Sequence, residues 1–267
     1  MSTTKVKFSS AFWTANVAEM LERTAYYAIF VAITLYLSNI LGFNDIEASL
    51  ISGGFSALMY LLPIFSGAYA DKIGYRKSMI LAFTLMPIGY LFLGLLPYLF
   101  EGLGLVKYAD APEGAAALVA NLVTETQYYG LRESNLRWLI IPVLLILIVG
   151  GSFIRSIIRA SVARETTTEN RARGYSLFYM LVNIGAFSGK SIIDPLRGWI
   201  GERAYIYVNF ISVILCLLAL IMVILMYRSV NTAGEGKSIK EVWYGLYKGL
   251  TNKRLLCLIF IATGFWM

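Results

Sequence analysis

The sequence predicts an all-α transmembrane bundle of six helices followed by the start of a seventh. Three observations predict it. Of 267 residues, 58% are hydrophobic and only 15% are charged, whereas soluble domains run near half apolar and a quarter charged. Mean hydropathy is +0.67. Apolar runs long enough for the roughly 20 residues that a helix needs to cross a bilayer fall at 11–38, 46–70, 77–99, 136–160, 173–199 and 203–227. A seventh opens at 254 and runs to Met267, which predicts the N-terminal part of a longer chain. The expected organisation is a six-helix bundle over 1–227, a linker over 228–253 and the start of a C-terminal bundle over 254–267.

The segments between spans set the expected orientation, because basic residues favour the cytoplasmic side. Lys5 and Lys7 precede span one, and no cleavable signal pattern accompanies them. Asp71, Lys72, Arg76 and Lys77 join spans two and three; Arg164, Arg171 and Arg173 join four and five. Arg228, Lys237, Lys240, Lys248, Lys253 and Arg254 follow span six. On the opposite side, residues 100–135 carry Glu101, Asp110, Glu113, Glu125 and Glu133 against Lys107 and Arg132. The N-terminus is therefore expected in the cytoplasm, in an inner or plasma membrane. The stretch "SIKEVWYGLYKGL" reads as an amphipathic link lying along the membrane surface. The net charge of +7 is spread over these links. Nucleic-acid binding would need one concentrated basic patch.

Span one holds an anomaly. "NVAEMLERTAYYAIF", residues 16–30, places Glu19, Glu22 and Arg23 inside an apolar run. At about 100° per residue, these three with Tyr26 and Tyr27 occupy one face about 140° wide. Glu19 and Arg23 are spaced to pair, as are Glu22 and Tyr26. Glu22 falls about 16 Å along the helix, where a charge costs at least ~2.5–3.5 kcal/mol unless it faces a partner or water. The cluster is expected to line an interior cavity. One base cannot neutralise two acids, and an unmatched buried carboxylate can hold or release a proton. The chain has no histidine, so carboxylates are the proton carriers on offer. Glu19, Glu22 and Arg23 are the candidate proton-coupling set; a purely structural ion pair is the alternative.

The same absence removes histidine-based catalysis and metal sites, and no nucleophile–base constellation marks an enzyme. Cys216 and Cys257 lie in apolar runs without ligand spacing and read as packing residues. No cofactor or metal is expected beyond the proton.

Three stretches carry a resemblance. "EMLERTAYY" is similar to an E-x-x-E-R-[FT]-x-Y-Y signature at Glu19, Glu22, Arg23, Tyr26 and Tyr27. "GAYADKIGYRKS" is similar to G-x-x-x-D-[RK]-x-G-x-R-[RK] at Gly67, Asp71, Lys72, Gly74, Arg76 and Lys77. "SLFYMLVNIGAF" resembles a further signature around Phe178, Tyr179, Asn183, Gly185 and Ala186. Together they resemble the proton-coupled oligopeptide transporters of the major facilitator superfamily. The resemblance implies that superfamily's six-helix N-terminal bundle, with a second bundle completing it. It implies proton-coupled symport of di- and tripeptides or related small zwitterionic or anionic solutes by alternating access. An uncoupled facilitator, or a membrane sensor or scaffold on the same fold, is the alternative.

By that resemblance Arg23, Tyr26, Tyr27, Tyr60, Arg155 and Asn183 would meet substrate. Gly67, Asp71, Gly74 and Arg76 would form a cytoplasmic gate, their charges clamping helix ends across a tight turn. Read from the residues alone, Asn183 is either interhelical glue or a ligand amide. Gly174, Gly185 and Gly189 permit close helix contact. Three positions depart from the family. Arg155, followed by Ser156, stands where a lysine followed by proline is usual, and it can pair with Glu22 or grip a carboxylate bidentately. Phe30 replaces an arginine. Lys190 replaces a proline and either snorkels to headgroups, with Asp194 as neighbour, or meets substrate.

Overall fold

The computed structural model describes residues 7–108, 131–228, 238–254 and 256–257. Most of the 100–135 loop, with Asp110, Glu113 and Glu125, lies outside the described residues, as does all but the first turn of the seventh span.

Helix α1 is Ser10–Leu35. Ser9 caps it by accepting from Phe12 N at 3.0 Å, satisfying one of the orphan amides of a helix start. Its last turn widens into a π-helical segment, Tyr36–Ile40. Helix α2, Asp45–Leu61, starts with a full capping box between Asn44 and Glu47. Helix α3, Pro63–Ile73, continues it after a 43° bend. The cause is Pro63, which has no amide hydrogen to donate into the preceding turn. The two helices form one broken span.

Gly74 separates α3 from α4, Tyr75–Gly102, with φ 88°. A side chain there would be strained, and the reversal between the two spans needs this conformation. A 3₁₀ turn, Asn135–Leu139, leads into α5, Ile140–Arg164. Helix α6, Arg171–Ile200, is followed by a second 3₁₀ turn, Gly201–Arg203, and by α7, Ala204–Met226. Helix α8, Ile239–Leu250, covers the amphipathic link and rests on α3, the Trp243 ring lying 5.1 Å from that of Phe65.

Helices α4, α5, α6 and α7 and the bent α2–α3 pair lie in stretches long and apolar enough to cross a membrane. Helix α1 is long enough at 26 residues, but every 18-residue window in it contains Glu19, Glu22 and Arg23. Six spans result, on boundaries within a few residues of those expected. Helix α1 is the hub. It packs along α6 and α7 and touches α5, while α4 packs on α5 and α7, and α2–α3 lean on α5. Small residues let it be central. A Cβ on Gly185 would lie 2.5 Å from the Met20 carbonyl oxygen, and one on Gly189 would collide with that of Thr24. The expected glycine contacts of α6 are thus made on α1. Gly150 and Gly151 play the same part for α5 against Met86 and Met59.

Candidate functional site

Glu19, Glu22 and Arg23 lie mid-span on α1 and are 5%, 0% and 5% exposed. Arg23 Nε lies 3.2 Å from Glu19 Oε1 and donates to Glu22 Oε2 at 2.5 Å. Arg23 Nη2 contacts the same Glu22 oxygen. One guanidinium thus serves two carboxylates. Each keeps a buried oxygen with no donor, Glu19 Oε2 and Glu22 Oε1. Buried polar atoms are rarely left so, and in a bilayer no lipid group can satisfy them. Tyr90 on α4 and Cys216 on α7, both buried, are within electrostatic reach of Glu22.

The expected Glu22–Tyr26 hydrogen bond does not form. Arg23 takes Glu22 instead, and the Tyr26 hydroxyl has no partner. The Tyr26 ring is contacted by two cations, the Arg23 guanidinium at 5.2 Å and that of Arg155 at 4.5 Å. Arg155 also lies 4.8 Å from the Tyr60 ring. It is therefore held by two aromatic rings, not by Glu22. It is 8% exposed, its Nε and Nη2 have no hydrogen-bond partner, and among the described residues no carboxylate pairs with it. Ser156 holds the backbone beside it: its hydroxyl donates to the Pro63 carbonyl at 2.5 Å. The residue that replaces the usual proline thus ties α5 to the α2–α3 break, just beyond Tyr60.

Around this core the aromatic groups continue. Phe30, 39% exposed, stacks on Tyr26 with ring centroids 5.5 Å apart and meets Tyr27 edge-on at 6.2 Å. Lys190 Nζ lies 5.2 Å from the Tyr27 ring and forms no ion pair with Asp194. Asn183 is exposed on the same flank of α6 and makes no hydrogen bond among the described residues. Ion pairs and ring contacts join Glu19, Glu22, Arg23, Tyr26, Tyr27, Tyr60 and Arg155 into one connected group.

At the other end of α3, Asp71 accepts from the Tyr75 hydroxyl at 2.9 Å, and Arg164 lies 4.4 Å from that ring. Arg76 Nη2 donates to the Ile224 carbonyl at 2.9 Å, capping the last turn of α7. Gly67 lies close against Ser156. Asp71 and Arg76 do not pair with each other; each ties a different neighbour. Sequence reasoning missed two features: the Ser156 tether, and a buried group formed by Asn39, Arg197 and Glu202. Spacing gives no sign of the second, because Arg197 and Glu202 stand on either side of a helix end.

Six helices with ion pairs packed at their centre define a polytopic membrane protein. The chain matches the model of the Major Facilitator Superfamily over residues 16–267 and belongs to that superfamily. Within it, the chain is similar to solute carrier family 15 member 2. It is 25% identical to the Rattus norvegicus protein over 257 residues, 92% of this chain and 31% of that one. The figure for Homo sapiens is 24% over 253 residues, 92% and 30%. In fold it matches a POT family transporter solved in complex with 5-aminolevulinic acid, with TM-score 0.62, 19% identity and coverage of 95% of this chain and 46% of that one. It also matches a bacterial homologue of the human drug peptide transporters PepT1 and PepT2, with TM-score 0.61, 18% identity and 96% and 53% coverage. The chain spans about a third of the curated relatives it matches and about half of the solved chains.

Proposed function

We propose that this chain supplies the coupling half of a proton-driven symporter for small peptides or related zwitterionic solutes. One observation carries the reading: two buried carboxylates share a single arginine, while a second buried arginine, Arg155, has no carboxylate partner among the described residues. A proton on Glu22 removes its hold on Arg23. A substrate carboxylate then finds two cations, Arg23 and Arg155, on the shared Tyr26 ring. Bidentate geometry suits a guanidinium to that task. Deprotonation re-forms the Arg23–Glu22 pair and expels the carboxylate, which links proton movement to substrate release by mass balance.

The N-terminus is cytoplasmic in this reading, supported by the basic residues at the Asp71–Lys77 turn. Gly67, Asp71, Gly74 and Arg76 act there as a gate, because their bonds tie α3 and α4 to the ends of neighbouring helices. Alternating access takes place against a second bundle. Similarity in fold to proton dependent oligopeptide transporters supports the substrate class.

The test is uptake of labelled dialanine by the full chain in liposomes. An inward proton gradient should drive accumulation, and Glu22→Gln should abolish it while leaving peptide exchange. Gradient-driven accumulation by Glu22→Gln at the parental level overturns the assignment. Uptake by the parent that ignores the gradient points to an uncoupled facilitator.

A further inference from the structure

We infer that the site carries a second anion subsite at Lys190 and selects peptides with a carboxylate side chain in addition to the terminal one. The inference rests on the transport reading above and deepens it.

The observation is a pair of cations on one aromatic surface. Arg155 lies over Tyr26, and Lys190 lies over Tyr27. Tyr26 and Tyr27 are themselves in edge contact at 5.2 Å, and Phe30 covers both rings. The two charges are thus no farther apart than three ring contacts laid end to end. Neither has a carboxylate partner among the described residues. A cation held over a ring is oriented but not neutralised. Arg155, buried within α5, needs water or a ligand to face, and Lys190 is exposed.

Phe30 decides what lies between the two charges. It is the partly exposed member of the stack, and it offers neither a donor nor an acceptor. The surface therefore reads as cation, apolar spacer, cation. Of the small peptides, one with an acidic first residue fits this order best: its terminal carboxylate goes to Arg155, its side-chain carboxylate to Lys190, and its aliphatic stem over Phe30. A peptide with a neutral side chain leaves Lys190 unmatched. Lys190 is thus a specificity-determining residue, and the arginine that Phe30 replaces would have broken the apolar spacer.

The experiment compares glutamyl-alanine with its neutral isostere glutaminyl-alanine as competitors of labelled dialanine, using the full chain in liposomes. A charge-assisted contact separates them by about tenfold or more, so glutamyl-alanine should inhibit at a concentration at least about ten times lower. Lys190→Gln should bring the ratio to about one, and Lys190→Arg should restore it. A ratio near one in the parent, or an unchanged ratio in Lys190→Gln, overturns the inference while dialanine uptake keeps the transport reading standing. Failure of the folded parent to take up or exchange any of the three peptides removes both.

Discussion

Two arginine–glutamate groups in this molecule, one buried in α1 and one half-buried at the end of α6, differ in how their carboxylates are paired. At the end of α6, Glu202 is 5% exposed and fully satisfied: Arg197 Nη2 reaches Oε1 at 2.7 Å and Asn39 Nδ2 donates to Oε2 at 3.0 Å. That group joins the π-helical turn after α1 to the 3₁₀ turn before α7, and every carboxylate oxygen has one donor. At the centre of α1, two carboxylates compete for Arg23, and one oxygen of each has none. The first arrangement is what a structural tie requires, since a buried charge is stable only when paired and hydrogen-bonded. The second leaves polar groups of both signs unmet: Glu19 Oε2, Glu22 Oε1 and Arg23 Nη2 make no hydrogen bond. On the function proposed above, this difference in pairing is what separates a coupling site from a lock.

This comparison can be broken most directly at Glu22. Each proton coupled to a one-unit pH gradient supports about tenfold accumulation, and Glu22→Gln should reduce that ratio to about one. A Glu202→Gln protein should keep the full ratio. If both variants lose it, the distinction between the two clusters fails.

The next effect concerns the seam that holds the open cluster in place. Gly189→Leu drives a side chain into the Thr24 carbonyl and the Ala28 amide of α1. Overpacking of this kind costs about 1–3 kcal/mol or more, and a thermal unfolding scan in detergent should record the lowered midpoint. Glu202→Gln should cost less, about 1–2 kcal/mol for a buried charge-assisted bond, because Arg197 is partly exposed and can turn to water. Smallest is Arg76→Ala. It removes one bond, to Ile224 O, worth about 1 kcal/mol; the midpoint should fall slightly, and limited proteolysis at the end of α7 should quicken.

Much of this was legible in the chain itself. The reversal at Gly74 and the close seam at Gly185 and Gly189 follow from residue types with few alternatives; the bend at Pro63 does not, since Pro87, Pro97 and Pro195 lie inside α4 and α6 without breaking them. The charged face of α1 follows from helical periodicity, and the Glu19–Arg23 pair from i,i+4 spacing. Glu22 shows where such reasoning stops. The sequence reading allowed it Tyr26 or Arg155; the fold gave it Arg23, because a guanidinium outcompetes a phenol for a carboxylate, while the Arg155 guanidinium lies over the Tyr26 and Tyr60 rings. Asn183 shows another limit: its polarity marks it as a group that needs a partner, yet it is exposed on α6, and spacing alone does not say what it meets there.

The sequence alone determined which segments are long and apolar enough to cross a membrane, and that one face of the first helix is charged, since these depend on composition and on rotation about a single helix axis. The tertiary structure alone decided that Arg155 sits between Tyr26 and Tyr60, that Ser156 ties it to the Pro63 break, and that Lys190 reaches Tyr27. Those depend on the distance and relative rotation of different helices, which are set by how their small residues interlock and are written in no single segment.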